Sequence, residues 1–233
     1  MNTGQHFIHF RDIPLMYGRV PKVANSSIKG ALFTLLKVRK EGVRTIADKF
    51  WKSETLGETS IITPYEARMC RGTHFSFSFV RNPFDRLVSA YNNKILDLEE
   101  TPGPMKAMGL TRNMSFGSFL EVIEATKHEK LDVHLLPQSK ILCVERQLVP
   151  NFVGHLENME QDWGKLQQQL RREGLPKLGV LPEKNIRRES KERDVPRYFE
   201  DSGIIRRASE IYGEDCEWFY KDKTIDQLIK GDK

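Results

Sequence analysis

Hydrophobic positions recur at two distinct spacings along the chain. From Phe75 to Val80 they alternate, with Phe75, Phe77 and Phe79 set against Ser76 and Ser78, the period of two of a β-strand. Arg81-Asn82-Pro83 follows, in which Asn82 suits a helix cap and Pro83 a first helical turn. Phe84, Leu87, Val88, Tyr91 and Ile95 then repeat at helical spacing. An earlier segment reads the same way: Leu15 to Val20 as a short strand stopped by Pro21, then a polar loop and a helix from Ser27. In that helix Ile28, Ala31, Leu32, Leu35 and Leu36 form one stripe, and Asn25 and Ser26 are expected as N-caps. Two strand–loop–helix units predict an α/β protein with a central parallel β-sheet in a three-layer arrangement, its chemistry at the C-terminal strand ends.

Further along, Thr101 to Pro104 reads as a loop, Phe116 to Lys127 as an amphipathic helix and Asp132 to Gln138 as irregular. Lys140 to Glu145 and Asn151 to Leu156 are expected as short strands, Met159 to Arg172 as a helix ending near Gly174, and Ser202 to Tyr220 as a last helix. His6 and His9 are expected to precede the fold. A length of 233 residues predicts one domain over 1–233, with its core at about 15–220.

Composition narrows this further. Hydrophobic residues at 39% and charged residues at 30% exclude a largely disordered chain. The longest runs free of Asp, Glu, Lys and Arg are ten residues (Met1–Phe10 and Gln147–Leu156), which predicts no membrane span. The N-terminus lacks the basic start and apolar run of a secretory signal, so cytoplasmic residence is expected. Cys70, Cys143 and Cys216 are too far apart for a metal knuckle and are expected as reduced thiols. The formal net charge of +5 favours anionic partners without choosing among them.

Two loops carry candidate chemistry. Pro21 to Ser27 leads from a strand into a helix N-terminus, where backbone N–H groups and the positive end of the dipole attract an anion. Ser26 and Ser27 add hydroxyls and Lys22 a mobile charge. The glycine-rich NTPase pattern is absent, because no glycine occurs between Gly18 and Gly30. In the second loop Arg81 ends a strand, and Ser89 lies two helical turns on, away from the Phe84–Leu87–Val88 face. Arg81 reads either as a bidentate phosphate clamp or as the partner of Asp85.

Together, Val20 to Lys29 and Phe79 to Tyr91 resemble the two cofactor signatures of the PAPS-dependent sulfotransferases, nearest to the carbohydrate sulfotransferase branch. Asp132-Val133-His134 with Pro137-Gln138, and Asn151 to Trp163, resemble further segments of that family. The resemblance implies a P-loop NTPase-like sulfotransferase fold and transfer of a sulfuryl group from PAPS (3′-phosphoadenosine 5′-phosphosulfate), leaving PAP, without a metal. It assigns the 5′-phosphosulfate end to Lys22, Ala24, Asn25, Ser26 and Ser27, and the 3′-phosphate to Arg81 and Ser89, joined by Arg188 from a late basic loop. The acceptor implied is a hydroxyl of a carbohydrate or related molecule.

A general base would deprotonate that hydroxyl. His74 lies at the wrong end of its strand and His128 in a charged run, which leaves His134, with His155 and Glu157 as alternatives expected to share one face. Rival readings are a kinase-like nucleotide phosphotransferase, disfavoured by the missing glycine pattern, and a basic nucleic-acid-binding module. The basic segment of residues 184–197 is interrupted by Glu189, Glu192 and Asp194 and lacks interleaved aromatics, so no specific nucleic acid is expected.

Overall fold

The computed structural model describes residues 4–37, 44–181 and 195–231. In chain order the first elements are β1 (Phe7–Phe10), β2 (Leu15–Gly18), α1 (Asn25–Phe33), β3 (Thr59–Ile62), α2 (Pro64–Met69), β4 (Phe75–Val80) and α3 (Pro83–Tyr91). After them come α4 (Gly103–Ala107), α5 (Phe116–Ala125), α6 (Gln138–Leu142), β5 (Cys143–Val144), β6 (Gln147–Leu148), β7 (Phe152–His155), α7 (Met159–Arg172), α8 (Ser202–Phe219) and α9 (Ile225–Lys230). The described residues divide into two compact units, the first within residues 1–80 and 140–181, the second within residues 81–139 and 195–231. Among the described residues no helix is long and apolar enough to cross a membrane.

The first unit holds a five-stranded sheet in the order β3-β1-β2-β4-β7. β2, β4 and β7 pair in parallel, as the two strand–loop–helix units predict. β1 pairs antiparallel with both β2 and β3, so it alone of the five runs against the rest. The parallel sheet thus has an antiparallel margin that the periodicity did not show, and His9, expected to precede the fold, is inside it opposite Met16. His6 is buried beside this strand.

The alternation in β4 does not separate a wet face from a dry one. Phe77 and Phe79 are buried, and so are Ser76 and Ser78. The Ser78 hydroxyl donates to the Gly18 C=O at 2.8 Å, and that of Ser76 to Asn151 Oδ1 at 2.9 Å, so the serines satisfy their own burial. Strand β7 approaches closely because Gly154, opposite Phe79, has no side chain: a Cβ there would overlap the Phe79 ring, 2.7 Å from its Cδ1.

Helix α7 matches its expected bounds, and Gly174, at φ 69, takes the left-handed position after it. Lys140 to Glu145 is a correction: the chain is helical to Leu142, and only Cys143–Val144 forms a strand. α1 likewise ends at Phe33, short of the Leu35 and Leu36 assigned to it.

The second unit is helical. Asn82 caps α3 as expected, its Oδ1 accepting the Phe84 N–H at 3.0 Å, with Pro83 in the first turn. A π-helical stretch, Asn92–Asp97, prolongs the helix and keeps Ile95 buried. Tyr91, Phe116, Phe119, Tyr198 and Phe199 form an aromatic cluster, with the Tyr91 and Phe116 rings 5.1 Å apart edge to face.

Candidate active site

The first loop turns on left-handed backbone. Lys22 has φ 68 and Ala24 φ 46, conformations that cost a side-chain-bearing residue roughly 1–2 kcal/mol each. Ala24 is the N-cap of α1, in place of the expected Asn25 and Ser26, and makes no side-chain cap bond. Its C=O instead accepts from Ser27 N at 2.9 Å and Ile28 N at 3.0 Å. Asn25 is committed elsewhere, its Oδ1 accepting from the buried Tyr17 hydroxyl at 3.2 Å; burial pushes that phenol well above its ordinary range, so it stays a donor. The left-handed residue followed by helical ones turns successive N–H groups to one side, the concavity that receives phosphates at glycine-rich loops, here built without glycine.

Lys29, one turn into α1, is buried. Its Nζ donates to Asp48 Oδ1 at 2.6 Å and Ile46 O at 2.9 Å, and Asp48 also pairs with Arg19. Burial alone would raise the Asp48 pKa, but Arg19 and Lys29 outweigh it and hold the carboxyl below its ordinary value. Burial lowers the Lys29 pKa in turn. Lys29 is thus tied into the fold.

In the second unit Arg81 Nε and Nη2 each meet Asp85 Oδ2 at 2.6 Å, so the pairing weighed as the alternative to a clamp is present. The pair does not exclude anion binding, since a guanidinium carries five donors. α3 is buried on nearly all sides, and Ser89 with it, at 3% exposure.

His134 lies in the irregular segment before α6. Its Nδ1 is 2.7 Å from Asp132 Oδ1, which also accepts the His134 backbone N–H at 2.9 Å. Burial would raise the Asp132 pKa, but its bonds from His134 outweigh this and lower it, so the carboxylate stays charged. With Nδ1 carrying the proton toward Asp132, Nε2 is left as the basic nitrogen. His155 ends β7, its N–H donating to Asp162 Oδ2 at 2.9 Å and its ring Nδ1 3.7 Å from the same oxygen. Glu157 is exposed in a 3-10 turn, Leu156–Asn158, so the strand face it was expected to share with His155 does not exist. Arg188 lies outside the described residues.

Sequence reasoning did not single out Arg86, Tyr212 and Asp215. Arg86 is buried in α3 and donates to Leu136 O at 2.9 Å and Val133 O at 3.2 Å. The Tyr212 hydroxyl donates to Leu135 O at 2.8 Å, and Asp215 accepts the N–H groups of Gln138 and Ser139. An arginine, a tyrosine and an aspartate on helical faces carry no local signal that they serve another segment's backbone.

The profile of the sulfotransferase family matches residues 5–221, and the chain belongs to that family. Carbohydrate sulfotransferase 14 of Danio rerio is 28% identical over 196 residues, covering 77% of this chain and 51% of the relative. The Homo sapiens protein of the same name is 28% identical over 162 residues, 63% of this chain and 42% of its own. Carbohydrate sulfotransferase 10 of Homo sapiens is 24% identical over 172 residues, 64% of this chain and 48% of the relative. The chain spans about half the length of the curated relatives it matches. No solved structure matches it.

Proposed function

We propose that this protein transfers the sulfuryl group of PAPS to a hydroxyl of a carbohydrate. The family assignment supports sulfuryl transfer, and the names of the relatives support a carbohydrate acceptor. The observation that carries the donor is the left-handed N-cap at Ala24, which turns the start of α1 into a phosphate-binding concavity behind Lys22.

Sulfuryl transfer needs in-line geometry and neutralisation of charge on the departing oxygen. Lys22 supplies that charge, while the N–H groups from Ala24 to Ser26 and the hydroxyls of Ser26 and Ser27 hold the 5′-phosphate. Arg81 binds the 3′-phosphate, and Ser89 serves the same group by family resemblance. His134 Nε2 takes the acceptor proton as the acceptor oxygen bonds to sulfur and the sulfur–oxygen bond to the phosphate breaks, releasing PAP; Asp132 holds the imidazolium that forms.

The test is ligand-dependent melting followed by turnover. PAP raises the melting temperature with the logarithm of its excess over Kd, ATP with Mg²⁺ does not, and labelled sulfate passes from PAPS to a carbohydrate in an acceptor screen. Stabilisation by ATP with Mg²⁺ but not by PAP would turn the assignment to a phosphotransferase.

A further inference from the structure

A buried amide links Arg81 to the segment that carries His134. Gln138 has 0% exposure. Its Oε1 accepts the Arg81 backbone N–H at 3.0 Å and its Nε2 donates to the Arg81 C=O at 2.7 Å. A side chain thereby makes the two-point pairing that a neighbouring strand would make. The backbone of Gln138 is fixed in turn, because Asp215 accepts its N–H at 2.9 Å and that of Ser139 at 2.7 Å. Upstream, the carbonyls of Val133, Leu135 and Leu136 are held by Arg86 and Tyr212. The segment around His134 is therefore pinned on one side by buried side chains and reaches Arg81 on the other through Gln138.

Nothing in the apolar core requires this arrangement, since a buried amide must find partners for both its donor and its acceptor. It meets that demand at Arg81, one of the residues assigned to the 3′-phosphate, from a segment that carries the assigned base four residues earlier.

We propose that Gln138 is a positioning residue, which couples the main chain at Arg81 to the His134 segment so that an anion held by Arg81 also steadies the base. The assignment of anion and base rests on the sulfotransferase reading; the coupling itself does not.

The experiment is hydrogen exchange at the Leu135 and Leu136 amides, which donate to Asp132 O at 2.8 and 3.0 Å. Gln138→Met keeps the length and bulk of the side chain and removes both bonds to Arg81. Gln138→Glu keeps the acceptor for the Arg81 N–H and serves where the methionine variant does not fold. Without ligand, exchange at the two amides is expected to rise about tenfold in Gln138→Met and by less in Gln138→Glu. In the unaltered protein PAP slows the same amides; in Gln138→Met it no longer does, and kcat falls about tenfold while the acceptor KM holds.

Unchanged exchange in both variants overturns the coupling, whatever PAP does. Raised exchange in a protein that does not bind PAP leaves the coupling standing and removes the sulfotransferase reading. PAP binding with wild-type exchange and kcat in Gln138→Met removes the coupling and leaves the sulfotransferase reading standing.

Discussion

Asp132 holds His134 at two points with one oxygen, accepting from the ring Nδ1 at 2.7 Å and from the backbone N–H at 2.9 Å. The first contact selects the tautomer and the second fixes the approach of the ring, so the carboxylate orients the imidazole as well as charging its surroundings.

Asp132→Asn is expected to cut turnover about 100-fold while PAP affinity stays within a few-fold of wild type, because general-base catalysis depends on tautomer and position. Steady-state rates with PAP titrations check this. The same variant tests stability. The Asp132 pKa is lowered in the fold, so its contribution is present above the ordinary aspartate value of 3.8 and is lost as pH falls through the folded value. Denaturation followed as the pH is lowered through and below 3.8 should show a shallower acid loss in Asp132→Asn. Normal turnover in His134→Ala would move the base to His155 or Glu157.

Lys22 and Arg81 should separate in kinetics. Lys22→Ala removes charge needed most as the sulfur–oxygen bond breaks, so kcat falls about 10²–10³-fold with PAP binding largely kept. Arg81→Ala weakens PAP binding by about 10–100-fold, the worth of a hydrogen bond to a charged group. Arg81→Lys should not restore it, since an ammonium cannot reproduce the fork that already meets Asp85 through two nitrogens. The reverse pattern would exchange the two assignments.

His6 predicts a second acid sensitivity. Burial first, then Arg19, lowers its pKa from 6.5 to about 4, and its Nε2 is buried with no hydrogen-bond partner among the described residues. Between those values the unfolded chain binds a proton that the folded one refuses, so stability falls as pH drops from 6.5 toward 4, by on the order of 3 kcal/mol. Urea denaturation at stepped pH should show that slope, and His6→Phe should flatten it. An unchanged slope in His6→Phe would place the titrating group elsewhere.

Gly154→Ala tests the close approach of β7 to β4. The added Cβ would lie on the Phe79 ring, which itself packs against Phe152 and Trp163. Overpacking of this kind costs about 1–3 kcal/mol, read as a lower Tm. Gly117→Ala, where a Cβ meets nothing within 4 Å, serves as the control.

Periodicity located the elements whose own residues repeat. β4 and α7 match because alternation and a helical stripe are set by neighbours in the chain. β1 and β3 were missed because each owes its place to antiparallel pairing with a segment distant in the chain. The cap of α1 was misplaced for a related reason. Asn25 is a good cap by residue type, yet the buried Tyr17 hydroxyl takes its oxygen and Ala24 is left to open the helix.

The site divides along the same line. Local sequence was enough to raise Lys22, Ser26, Ser27 and Arg81 as candidate anion ligands, because loop, charge and helix start lie within a few residues of one another; His134 entered through the family resemblance. The work of Gln138 on Arg81, 57 residues away, and of Asp215 on Gln138, 77 residues away, was decided by the folded chain alone. Buried polar groups must find partners wherever packing brings them, and that demand leaves no period or spacing in the sequence to read.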